Sequence, residues 1–289
     1  MSTFKGMGWT VWALIPVIVL AYHYGPGQHF DRRDTAVRRH LEAIDLEARA
    51  SEMQAEAYQS HLDVITSRMA TFIPGNEDSS RELESAIVRE QEAYARAADQ
   101  WELVADAYQD VEGLLEDDDD AQPRIRWAKA RAQVRSGDIW GGAGELDDLL
   151  RGLDPGDADG EQLRRATREE LASAHYFGAR LLRLAGEPAI EWRAESAKAR
   201  QHFRLLAESA SKRGENTEVV RGFEDNVERV LDLEQLDLSD IQGMPLPRDS
   251  PRGTRGNRPG NGRPGVSQRP PTQRDGRGAG GAGDIGSGW

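Results

Sequence analysis

The side chains that could do chemistry in this chain are mainly histidines and carboxylates, because the sequence contains no cysteine. The six histidines are scattered, and none stands in the H-E-x-x-H spacing that places two zinc ligands on successive turns of a helix. They are His23, His29, His40, His61, His175 and His202. We therefore interpret each histidine as structural and assign no metal ligand.

An unbroken acidic run covers residues 116–120. Divalent cations prefer carboxylate oxygens, so a cation site is one interpretation of this run. However, the run lacks the spaced ligands and the turn glycine of a calcium loop, and Pro123 follows shortly after it. We favour a solvated connector between two helices and expect no metal there.

Other catalytic signatures are missing from the sequence. There is no G-x-S-x-G elbow, no phosphate-binding loop and no Glu-x-x-His repeat for a di-metal helical bundle. Gly260, Gly262 and Gly265 match G-x-G-x-x-G, but neither a strand before them nor a helix after them is predicted. We expect a protein without enzymatic activity, catalytic residues or cofactor, and an enzyme of unreadable motif is the remote alternative.

Composition divides the chain into an acidic body and a basic tail. The net charge is −13, yet residues 243–289 hold eight arginines and only three aspartates. Hydrophobic residues make up 38% and charged residues 30%, so only part of the chain builds a core. The absence of cysteine fits a reducing cytoplasm and a disulfide-free exported protein equally well.

The N-terminus carries an uncharged, mostly apolar run at residues 7–25. Its length approaches the roughly 20 residues that a membrane-spanning helix needs. Trp9 and Trp12 at one end, with Tyr22 and Tyr24 at the other, match the aromatic belts of such helices. We predict a single-pass transmembrane helix here, within an anchor of residues 1–29.

Cleavage and orientation of this segment stay open. Lys5 and the Val19-Leu20-Ala21 site also fit a cleaved signal peptide, which would make the protein exported and structural or envelope-associated. Positive charges favour a cytoplasmic body, since only Lys5 precedes the span and four arginines follow it. These are Arg32, Arg33, Arg38 and Arg39.

Residues 30–120 are expected to form a long antiparallel helical hairpin. Its first helix, predicted at 34–73, carries apolar and small residues spaced alternately by four and three. This first heptad stripe comprises Val37, Leu41, Ile44, Ala48, Ser51, Ala55, Tyr58, Leu62, Ile65, Met69 and Phe72. After Pro74-Gly75-Asn76, Ser79 and Glu82 have the spacing of a capping box that would start the second helix.

The second helix continues the pattern with one break at Glu90. Its stripe comprises Leu83, Ile87, Tyr94, Ala97, Trp101, Val104, Tyr108, Val111 and Leu115. A turn near Asn76 would set Ser51 opposite Trp101, so that small residues face the largest side chain. We therefore predict that the two stripes pair with each other, that Trp101 is buried against residues 48–55, and that Ser51→Leu overpacks the hairpin. Pairing of the first stripe with another chain is the alternative.

Residues 121–242 read as shorter helical hairpins. Prolines in the body fall only between helical patterns, at Pro74, Pro123, Pro155 and Pro188. One hairpin turns at Ser136-Gly137-Asp138, where Asp138 is placed to cap the second arm. No strand pattern is present.

This region resembles tetratricopeptide (TPR) repeat proteins, whose helix-turn-helix units place small and large residues at fixed offsets. Ala130 and Gly137 match helix A and the turn, while Gly142, Leu146 and Leu149 match helix B. Two departures stand out: Gly137 and Gly186 lie 49 residues apart instead of about 34, and the second unit carries an insertion. The resemblance implies a scaffold that binds protein partners and carries no catalytic residue, and an irregular helical bundle is the alternative.

Residues 243–289 are rich in glycine, proline and arginine, with too few apolar residues to form a core, so we expect disorder. Few aromatic residues accompany the arginines, which makes nucleic-acid binding less favoured than a solubilising or spacing tail. The sequence thus predicts an all-α, membrane-anchored scaffold with a long hairpin, TPR-like hairpins and a disordered tail. No small-molecule substrate is expected.

Overall fold

A computed structural model describes residues 14–17, 26–72, 78–115, 120–154 and 158–241, and these contain helices and turns without any strand. Residues 14–17 are helical. The eight helices that follow are α1 (Pro26–Ala70), α2 (Ser79–Glu112), α3 (Gln122–Ser136), α4 (Ile139–Gly152), α5 (Ala158–Leu184), α6 (Ala189–Lys212), α7 (Thr217–Gln235) and α8 (Leu238–Ile241). The predicted all-α class is confirmed for these residues.

The helices pack in the order in which the sequence presents them. From α1 to α7 each helix contacts the next one, and α5 additionally touches α3 and α8. Ile125 and Ala132 of α3 join the same core cluster as Trp101 and Tyr108 of α2, so packing continues from the long hairpin into the shorter ones. A second cluster runs through α3 to α8 and ends at the fully buried Ile241.

Among the described residues, no helix has both the length and the apolar character to cross a membrane. The predicted span 7–25 lies outside those residues except for residues 14–17. The acidic connector at 116–119 and the tail from residue 243 onward also lie outside them.

α1 and α2 form the predicted antiparallel hairpin. The indole Nε1 of Trp101 donates to Gln54 Oε1 at 3.0 Å. Further along, the Tyr108 hydroxyl donates to Glu47 at 2.7 Å, so rising numbers on α2 meet falling numbers on α1. Trp101 is 1% exposed and packs against the segment 48–55 of α1, as predicted. The middle of the second stripe is also buried.

The face that α1 turns toward α2 differs from the prediction by one residue position. The buried seam includes a series of apolar residues seven apart, together with the polar Gln54 and His61, and the series is Ala36, Ala43, Ala50, Ala57 and Val64. Ser51 is exposed, so the expected overpacking by Ser51→Leu loses its basis. Small residues on α1 leave room for the large side chains of α2, which allows the two helices to pack closely. The prediction was based on the large apolar residues of α1, and these do not indicate which face of α1 packs against α2.

Helix ends agree with the sequence at α4 and differ at α2. Asp138 caps α4 by accepting a hydrogen bond from Gly141 N at 3.0 Å. Gly137 reaches φ 110°, a left-handed conformation that glycine adopts without steric cost. At α2 the predicted capping box is wrong, because Asp78 occupies the N-cap and Ser79 is the first, buried helical residue.

Candidate interaction surface

The first heptad stripe lies largely on the outside of α1. Five of its large side chains are strongly exposed, and they are Val37 (54%), Leu41 (57%), Ile44 (43%), Met69 (60%) and Phe72 (82%). Between these two ends, Ala48, Ser51 and Ala55 are also exposed. The stripe is therefore a line of apolar and small residues on the outer face of a 45-residue helix, and Phe72 continues it in the turn that follows.

The exposure of this stripe changes along α1. Residues 37–55 of the stripe are exposed, whereas Tyr58, Leu62 and Ile65 are half-buried. The stripe is therefore strongly exposed at both ends and partly covered only between Tyr58 and Ile65.

Polar contacts between α1, α2 and α3 hold α1 in the orientation that leaves the first stripe exposed. Glu47 accepts from Tyr108 and from Arg131 Nη2 at 2.5 Å, which joins α1, α2 and α3. Burial on its own would raise the pKa of Glu47, but Arg131 and the Tyr108 hydroxyl hold that pKa below its ordinary value. Burial and the adjacent Glu47 raise the pKa of Tyr108. A rotation that buried the first stripe would break these bonds.

Arginine–aromatic stacking extends the same network toward α5. The guanidinium carbon of Arg131 lies 5.0 Å from the ring centre of Trp127, and that of Arg135 lies 5.1 Å from Trp101. Arg135 also donates to Glu170 of α5 at 3.3 Å. These contacts are of the cation–π type, which favours arginine over the face of tryptophan. These contacts join α2, α3 and α5, and none of them involves the outer face of α1.

Two histidines meet between α5 and α6. The rings of His175 and His202 stack with centres 5.9 Å apart, and His175 Nδ1 lies 2.7 Å from Glu195 Oε2. Burial, His175 and Arg168 lower the pKa of His202 to about 4, against a smaller opposing effect of Asp147. In the described part of the chain no group of three His, Asp or Glu side chains is placed so that it could hold a metal ion. The pair is best interpreted as packing.

An arginine-lined cleft of about 80 Å³ lies between α5 and the end of α6. Arg165 and Arg213 both contact Glu215, at 2.6 and 3.0 Å, and Arg164 lies 3.7 Å from Glu161. Burial and the neighbouring Arg164 lower the pKa of Arg168. Because Arg164, Arg165 and Arg213 are paired with nearby carboxylates, we interpret the cleft as a polar contact between the two helices.

Comparison of the chain with known protein families, with curated proteins and with solved structures finds no match. The functional assignment therefore depends on the surface itself. The sequence assigned no catalytic, cofactor or metal residue. It predicted that the first stripe faces α2, whereas the structure places most of that stripe on the exposed side of α1. The signal that would have corrected this is the alanine at every seventh position from Ala36 to Ala57.

Proposed function

We propose that this chain is a membrane-anchored scaffold for protein–protein interaction, of TPR-like type and without catalytic activity. The observation that carries the proposal is the first heptad stripe, which the helical body holds on its outer face. Large exposed apolar surfaces with a polar rim are typical of interaction sites. Here the rim includes the exposed charges of Arg38, Asp45 and Glu52.

The helical body supports a scaffold role through its rigidity. Consecutive hairpins share core clusters, so the outer face of α1 is presented by a packed structure instead of a lone helix. Lone helices are marginal in water, whereas packed ones keep their shape before a partner arrives. Pre-formed surfaces bind with less loss of conformational entropy.

The TPR-like assignment draws support from the α3–α4 unit. Gly142 lies where a Cβ atom would meet Ala130 O and Val134 Cγ2 at 2.6 Å, so the two arms approach at a small residue. Gly137 and Gly186 both adopt positive φ at turns between antiparallel helices. The 49-residue spacing of these turns departs from the repeat length of about 34, which leaves an irregular helical stack as the alternative.

The anchor is proposed from the uncharged run at residues 7–25, with the body on the cytoplasmic side. N-terminal sequencing of the mature protein tests it, because a retained anchor leaves residues 1–24 in place. A mature chain that begins at Tyr22 would replace the anchor with a signal peptide and make the protein exported.

Affinity capture of the full chain from its own membrane fraction tests the scaffold. Leu41→Asp places a charge between Val37 and Ile44 in the exposed first part of the stripe and should abolish co-purification of partner proteins. Ala95→Asp makes the same kind of change at an exposed alanine of α2, and it should leave the captured set unchanged. Equal capture by both variants would contradict the use of this surface.

A further inference from the structure

We propose that the first heptad stripe is covered by the same stripe of a second copy of this chain, with the two α1 helices antiparallel. The inference rests on the proposed scaffold function and names the occupant of its surface. It starts from the distribution of side-chain size along the stripe. Large residues occupy both ends and the second half, while Ala48, Ser51 and Ala55 form one small segment.

A tightly packed seam requires each small residue to face a large one. An antiparallel pair meets this requirement when its two-fold axis passes between Ala55 and Tyr58. The opposed residues of the two copies are then Ala48 with Ile65, Ser51 with Leu62, Ala55 with Tyr58, Ile44 with Met69, and Leu41 with Phe72. Every exposed small residue then lies on the accessible part of a larger, half-buried side chain of the other copy, and the two exposed ends of the stripe cover each other.

A parallel in-register pair fails the same requirement. It would set Ala48, Ser51 and Ala55 against their own copies and leave about two turns of the seam poorly filled. At the ends it would set Phe72 on Phe72 and Leu41 on Leu41. Size complementarity therefore selects the antiparallel orientation.

Charges beside the seam permit this arrangement. On the exposed flank, the register places Glu52 near Gln59 and Asp45 near Thr66 of the other copy, so no like charges are opposed. Closed two-fold symmetry also suits a surface that pairs with itself, because the same patch serves both copies. A third copy has no stripe left to bind.

The size of the contact indicates a reversible dimer. From Leu41 to Met69, within α1, the stripe runs about 42 Å at ~1.5 Å per residue, and a helix is about 10–12 Å wide. Two such strips bury roughly 900 Å² in total, which is near the lower limit for a specific interface. Association should therefore depend on protein concentration.

Cysteine pairs test the register, because the chain has no cysteine of its own. Full chains carrying Ser51→Cys or Leu62→Cys are purified separately in mild detergent, mixed, and oxidised. The mixture should form a disulfide-linked dimer between the two variants. Each variant alone should not, because like positions lie about 16 Å apart along the axis, beyond the roughly 7 Å Cα separation that a disulfide tolerates.

Other outcomes overturn the inference. Crosslinking of Ser51→Cys with itself would show a parallel pair, and a monomer at several hundred micromolar by sedimentation would show no pairing. Leu41→Asp should remove the crosslink, while Ala95→Asp keeps it, and helical circular dichroism shows that both variants fold. If pairing fails while Leu41→Asp still abolishes capture of another protein, the scaffold stands and only the second copy is excluded.

Discussion

Gln54 and Trp101 form a buried polar contact whose loss should be measurable at the scale of single residues. Gln54→Leu removes the acceptor and leaves the indole N–H buried without it, so we expect a loss of about 1–3 kcal/mol in the free energy of unfolding. Chemical denaturation of the purified protein measures it. Trp101→Phe combined with Gln54→Leu removes both polar groups, and the double variant should lose less than the sum of the single losses. Strict additivity would contradict a direct contact.

His202 should make stability fall with acidification. Its pKa is about 4 in the folded chain and about 6.5 when the imidazole is free, so the unfolded state binds the extra proton between these values. Stability is therefore lost as the pH falls from 6.5 to 4. His202→Phe should flatten this part of the pH profile of the unfolding midpoint, with Glu47 and Glu195 still acting at lower pH in both proteins. Parallel profiles for the two proteins would show that His202 does not contribute.

Two glycines of α4 give a matched test at the scale of the helix pair. At Gly142 a Cβ atom would lie 2.6 Å from Ala130 O, so Gly142→Ala must push α3 and α4 apart. Overpacking of this kind costs about 1–3 kcal/mol. At Gly144 a Cβ atom meets nothing within 4 Å, so Gly144→Ala should stabilise by about 0.5–1 kcal/mol through helix propensity. Thermal unfolding should show shifts of opposite sign.

The α1–α2 seam gives a second test at this scale. Ala50 of α1 is 0% exposed and packs against side chains of α2. Ala50→Leu should therefore overpack the hairpin and destabilise it by about 1–3 kcal/mol. Arg49→Leu adds a large apolar side chain at an exposed position off the stripe and should change stability by less than about 0.5 kcal/mol. Similar effects of the two substitutions would mean that α1 faces α2 with another side.

The helices themselves were largely predictable from the sequence, but the orientation of α1 was not. Pro123 falls in the first turn of α3 and Pro188 immediately precedes α6, where their fixed φ angles end or begin helices as expected. The face of α1 was missed because pattern reading weights large apolar residues, whereas this seam is built from alanine, Gln54 and Glu47. Whether a polar residue is buried depends on a partner such as Trp101 or Arg131, distant along the chain, and periodicity within one helix carries no such information.

At the scale of the whole molecule, Ile241 should mark where the folded body ends. Its side chain is fully buried, and its carbonyl accepts from Arg180 at 3.5 Å. Truncation after Gly243 should leave the unfolding midpoint unchanged, because the residues beyond it have too few apolar side chains to add to a core. Truncation after Asp237 removes Ile241 and should lower the midpoint by several degrees. Equal midpoints would place the end of the body earlier.

The order of helix contacts also determines how the molecule would respond to tension. Since each helix rests mainly on its neighbours in sequence, a pull between the two ends of the body is carried by the interfaces in series. Small displacements at successive interfaces then add up to a large extension, as in a spring. At larger extensions, α1 would separate from α2 before the segment around α5 unfolds, because α5 has additional contacts with α3 and α8. A body held at both ends should therefore unfold in steps that begin at the interfaces with the least support from other helices.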